Sequence, residues 1–124
     1  TDLNYVGATP KAFIANTVFA GNNSQFSYSA STTAATGWTS TELASYINRT
    51  GGGNTVAATT ADAGLTAPFK YDQSVDFNAA AGSAAAGGAD FTSARLGGGF
   101  FTQTTFRGAA GAGDTWWKGW TSFK

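Results

Sequence analysis

The chain contains no cysteine, no methionine and no histidine among its 124 residues. Without cysteine there can be no disulfide framework and no thiolate metal site. With histidine missing as well, Ser-His-Asp and Cys-His catalytic arrangements cannot be assembled, and zinc centres built on imidazole or thiolate are excluded. Charge is also scarce. Seven Lys/Arg against seven Asp/Glu give a formal net charge of zero, and charged residues make up 11% of the chain, against roughly 25% in soluble domains. No basic stripe is available to neutralise phosphates, so nucleic acid is not an expected partner. No segment approaches the ~18 consecutive apolar residues that would predict a membrane span. The missing cysteines do not by themselves argue for the cytoplasm, since many exported bacterial proteins have none.

In place of charge, Thr, Ser, Asn and Gly must cover the surface, the neutral coat of hydroxyls and amides common on secreted β-proteins. Aromatic residues amount to 15% of the chain, far more than disordered segments usually carry. The length suits one domain with a modest core. Thr1-Asp-Leu-Asn does not read as a signal peptide.

The most concentrated signal is in the tail. Trp116, Trp117 and Trp120 are three of the four tryptophans, gathered within five positions and flanked by glycines. Such a cluster can close a hydrophobic core, or it can stand on the surface as a stacking platform for a flat ligand such as a sugar ring.

Phe106-Arg107-Gly108-Ala109, followed by Asp114-Thr115-Trp116-Trp117-Lys118-Gly119-Trp120-Thr121, resembles the "YRGAFG…DWTxGWTNF" signature near the C-terminus of large secreted surface proteins of the Bacteroidetes. The bodies of those proteins resemble right-handed parallel β-helices. Asp76-Phe77-Asn78-Ala79-Ala80-Ala81-Gly82-Ser83-Ala84 is similar to the "dFxLxxgSPa" phrase of the last coils in such solenoids. The chain departs from the pattern at Ala79, Ala84 and Ala110, where Leu, Pro or Phe is expected, and residues 79–89 are Ala, Gly and Ser only. Such a run is expected to pack poorly. The resemblance implies a mainly β fold, the terminal part of a right-handed parallel β-helix with one short flanking helix and an irregular closing lobe. Because terminal coils need neighbours to stack on, it also implies a fragment of a longer protein.

Ala12 to Ala20 is apolar and β-branched and stops at Gly21-Asn22-Asn23, which predicts a buried strand. Asn16 and Asn22 are candidates for a solenoid asparagine ladder, though Asn22 and Asn23 are better explained as turn formers. The alternation of Gln25 to Ser31 places Phe26 and Tyr28 on one face of a second strand. Thr39-Ser-Thr-Glu42 spells a capping box, and Leu43, Tyr46 and Ile47 then share one face, predicting a short helix over about 40–48 that Gly51 to Gly53 end. Residues 1–56 thus read as β-helix edge strands plus the helix. Residues 57–124 read as an irregular capping lobe held by isolated aromatic anchors, the two forming one structural unit.

Few groups are left that could do chemistry. Polysaccharide lyases on β-helices can use Arg or Lys as base beside calcium-binding aspartates, which nominates Arg95, Arg107 and Lys118 with Asp72, Asp76 and Asp90. These aspartates stand singly among turn residues, where Asp commonly accepts from its own backbone. Calcium could also be held by Asp62, Asp72, Asp76, Asp90 or Asp114 in carbonyl-rich loops, but no loop matches a recognised calcium motif and no cofactor is expected. Paired carboxylates for glycoside hydrolysis need a set separation that sequence does not supply. The glycine clusters lack the Lys-Ser/Thr that completes a nucleotide loop.

The sequence therefore leads to a non-catalytic extracellular or cell-surface protein, structural, adhesive or part of an assembly. Its expected partners are other chains of that assembly or the rest of its own longer chain. The competing reading is a carbohydrate-binding module, or the tail of a lyase-like enzyme, with Trp116, Trp117, Trp120 and Arg107 as contacts to glycan or partner. At least one of the three indoles is expected to be a buried anchor, with Arg107 held close by, where its guanidinium could stack on an indole.

Overall fold

In a computed structural model, the structure describes residues 14–23, 26 and 39–120. The first strand, β1 (Val18–Ala20), is short and lies in parallel with β2 (Thr55–Ala57), in the register Val18 to Thr55, Phe19 to Val56 and Ala20 to Ala57. Parallel strands cannot be joined by a tight turn, and the crossover between these two carries the helix α1 (Ser40–Ile47). Hydrogen bonds extend the pairing at both ends: Asn16 N donates to Gly52 O at 2.9 Å, Thr55 N to Thr17 O at 2.9 Å, and Gly21 N to Ala57 O at 3.3 Å.

Helix α1 starts where the sequence places its start. The Glu42 amide donates to the Thr39 hydroxyl, and the Glu42 carboxylate accepts from the Thr39 amide at 2.7 Å, the reciprocal pair of a capping box. Asn48, ahead of the glycines, closes the other end, with both its backbone and side-chain nitrogens donating to Ala44 O. Ile47 is buried. An eight-residue helix is marginal alone, and this one is tied down by polar contacts. The Ile14 amide donates to the Tyr46 hydroxyl, and Asn54 donates to both Ile14 O and Ile47 O while accepting from Thr17 N.

Beyond β2, a 3-10 turn (Ala61–Ala63) leads into an antiparallel pair, β3 (Leu65–Ala67) with β4 (Asp76–Ala79), which is irregular between Leu65 and Ala67. Residues 57–124 are therefore less irregular than the sequence implies. The hairpin lacks a clear alternation of apolar residues because its strands are short and bulged, so periodicity does not reveal it. After β4 the chain runs through turns to the tail, where Val75, Ala110 and Trp117 form a small core with Phe77 packed against it.

The alanine-rich run also behaves differently from expectation. Ala79, Ala85 and Ala110 are all buried. Their small side chains let backbones approach: Ala80 N reaches Gly64 O at 2.7 Å and Arg107 N reaches Ala85 O at 2.9 Å. Here alanine packs by proximity of main chain. The predicted strand over residues 25–31 lies outside the described residues except for Phe26, which meets Phe19 edge-on at 5.7 Å.

Candidate functional site

Three tryptophans with similar sequence surroundings take three different environments. Trp117 is 1% exposed and packs against Val75, Ala110 and, edge-on at 5.4 Å, Phe77. Trp116 is 57% exposed, stands perpendicular to Trp117, and is oriented by its indole N–H, which donates to Ala109 O at 2.9 Å. Trp120 is 89% exposed. Trp116 and Trp117 thus do not form a flat shared platform.

The tail turns are held by Asp114, whose carboxylate accepts from Gly111 N at 2.8 Å, and by Asn78, which donates to Asp114 O and so ties the tail to β4. Among the phenylalanines near the tail, Phe101 pairs with Phe100, Phe106 lies against Gly111, and Phe123 is outside the described residues. Phe77, from the "dFxLxxgSPa"-like phrase, supplies the aromatic contact instead.

Arg107 corrects the expectation that it stacks on an indole. Its Nε donates to Gly88 O at 3.2 Å and its Nη1 to Thr55 Oγ1 at 3.1 Å, with a longer contact to Ala84 O. The planar fork of N–H groups matches several fixed oxygens at once, which outweighs a single ring contact. Gly88 has φ 82°, and a side chain there would collide with the guanidinium. The cation over a ring is Arg49, 4.1 Å from the centre of Tyr46.

The described acids are all engaged locally. Besides Glu42 and Asp114, Asp62 accepts from the Thr59 amide and hydroxyl, Asp72 from the Ser74 amide and hydroxyl, Asp76 from the Asn78 amide, and Asp90 from the Thr92 amide. Bonds to the charged form favour ionisation. The Thr39 amide and then its hydroxyl lower the pKa of Glu42, and the Thr59 hydroxyl and then its amide lower that of Asp62. Asp72 is lowered chiefly by the Ser74 hydroxyl, and Asp90 chiefly by the Thr92 amide. A carboxylate held ionised in this way is a poor proton acceptor near neutral pH. Among the described residues no group of three or more acids is placed to hold a metal ion.

Cavities lie elsewhere. One of about 450 Å³ is lined by Asn16, Arg49, Asp90, Thr92, Ser93 and Arg95, among others. A second, of about 260 Å³, shares Asn16, Asp90 and Leu96 with it and adds Phe91, Phe106 and Arg107. A third, of about 370 Å³, again includes Asn16 and Arg107, together with Leu65 and Ala85. Arg95, Arg107 and Asp90, nominated from sequence, therefore border neighbouring cavities that share Asn16 in their lining, whereas Asp72, Asp76 and Lys118 line none of the three. Sequence reasoning did not nominate Arg49 or Asn16 for this site.

Asn16 is the non-glycine residue with positive φ among the described residues, at 53°. Asparagine tolerates that region better than most residues. Its side-chain oxygen lies against Gly53, where a β-carbon would overlap it.

Comparison of the chain with protein families, with curated proteins and with solved structures yields no match. No helix among the described residues is long and apolar enough to cross a membrane.

Proposed function

We propose that this chain is a non-catalytic closing lobe of a secreted or surface-displayed protein, packing at the end of a right-handed parallel β-helix and serving assembly or adhesion. The observation that carries the reading is the burial of Trp117, which makes the most distinctive part of the tail a core anchor. Two features support it. The parallel pairing of β1 with β2 across a long crossover is the pairing that successive coils make, and each described acid serves a turn or cap.

The lobe is therefore expected to release no product from a panel of acidic and neutral polysaccharides. New ultraviolet absorbance from unsaturated sugar ends, abolished on changing Arg95 or Arg107, would overturn the reading.

The exposure of Trp116 and Trp120 favours a second reading, in which the same tail also binds glycans. Single Trp→Ala variants separate the two. Loss of stability at Trp117 supports the closing lobe. If all three variants keep the parent's thermal stability and lose retention on a glycan column, a carbohydrate-binding module takes its place.

A further inference from the structure

We propose that the neighbouring cavities around Asn16 bind an acidic oligosaccharide, with arginine forks taking the sugar carboxylates and Asp90 and Asn16 taking its hydroxyls. Arg49 and Arg95 line the first of these cavities and Arg107 the other two, and Asp90 is the acid among their described lining residues. Among the described lining residues of these cavities, three arginines stand against one acid.

The arginines are placed without being neutralised by carboxylates at two of the three positions. Arg49 is held by Tyr46 O at 2.7 Å and Ile14 O at 2.9 Å, and Arg107 by Gly88 O and Thr55 Oγ1. Carbonyl and hydroxyl oxygens fix the planes of the guanidinium groups and leave their full charge, and each group has five N–H donors in all. Orientation fixed in advance lowers the ordering cost of binding, and a guanidinium suits a carboxylate's paired oxygens.

Asp90 decides the chemical class. A ligand carrying only negative charge would be repelled by this carboxylate at the junction of the first two cavities. A uronic acid chain offers both functions on each ring, a carboxylate for an arginine and hydroxyl donors for Asp90. Asn16, Thr92 and Ser93 add further hydrogen-bonding groups in the cavity lined by Arg49 and Arg95. That cavity's volume, about 450 Å³, falls within the range of small-molecule sites, roughly 300–1,000 Å³. The two adjoining cavities make room for more than one ring.

The inference concerns a surface separate from the tryptophan tail and does not depend on the closing-lobe reading. The test is calorimetric titration of the full chain with trigalacturonate, with its methyl ester and with hexa-aspartate. Trigalacturonate should bind saturably, and at least tenfold more tightly than the ester, which keeps the hydroxyls without the charge, or the peptide, which keeps the charge without the hydroxyls. Arg95→Gln, at an exposed position, should weaken binding at least tenfold with unchanged melting temperature, and Asp90→Asn, which can still form its turn, should weaken it at least tenfold with the fold retained. The Trp120→Ala variant should bind trigalacturonate like the parent. Absence of binding at millimolar ligand, equal binding of the ester or of hexa-aspartate, or full binding by Arg95→Gln would each overturn the proposal.

Discussion

Arg107 Nη1 donates to Thr55 Oγ1 at 3.1 Å, joining residues 52 positions apart. The same side chain holds Gly88 O, and its amide holds Ala85 O. Strand β2, the alanine-rich run and the approach to the tail therefore meet at one guanidinium. A boundary near residue 56 separates no independent bodies, and residues on its two sides should unfold together.

Arg107→Lys is expected to destabilise the fold by about 2 kcal/mol, because hydrogen bonds from a charged donor contribute roughly 1.5–3 kcal/mol and a point ammonium cannot reproduce the fork. Thr55→Val should lose less, about 1 kcal/mol. Urea denaturation of the two single variants and the double variant checks the coupling. Strict additivity would show that the contact contributes nothing of its own.

Truncating the indoles should rank them by burial. Trp117→Ala removes a core aromatic and should lose about 3–5 kcal/mol, whereas Trp120→Ala should stay within about 0.5 kcal/mol of the parent. Trp116→Ala should fall between, since it loses its bond to Ala109 and its edge contact with Trp117. Equal midpoints for all three in urea would contradict the packing described here.

Glycine substitutions separate backbone strain from collision. Gly53 and Gly82 both have positive φ, 63° and 77°, but a β-carbon at Gly53 would overlap Asn16 Oδ1 while one at Gly82 meets open space. Gly82→Ala should lose roughly 1–2 kcal/mol from the left-handed conformation alone. Gly53→Ala should lose clearly more, and denaturation midpoints give the order directly.

Stability should fall on acidification and change little from mildly acidic to neutral pH. The pKa values of Glu42, Asp62, Asp72 and Asp90 are all lowered in the folded chain. A depressed folded pKa means stabilisation that is present above the unfolded value, near 4, and is lost as pH falls through the folded one. With no histidine present, no imidazole adds a step near neutrality. Glu42→Gln keeps the cap and should reduce the steepness of the acid limb in melts recorded across pH. A steep stability change between about pH 6 and 8 would show that other groups govern the response.

The parts of this chain that were legible in its sequence are those decided within a few residues. The Thr39 and Glu42 exchange is a three-residue geometry, so the start of α1 follows from local chemistry alone. The turn-forming role of Asp72, Asp76 and Asp90 follows in the same way, because each accepts an amide two positions on.

Which indole turns inward was decided only by tertiary structure, since Val75 and Phe77 lie some forty positions earlier and periodicity carries no record of their approach. The burial of Ala79, Ala85 and Ala110 likewise depends on segments distant in sequence coming together. The use of Arg107 against Thr55, and the meeting of Asn16, Arg49, Asp90 and Arg95 around one cavity, belong to the same class. Short-range hydrogen bonds are set by the covalent reach of a few residues. A cavity or a core exists only once the loops between its walls have closed, and the sequence records the walls without their juxtaposition.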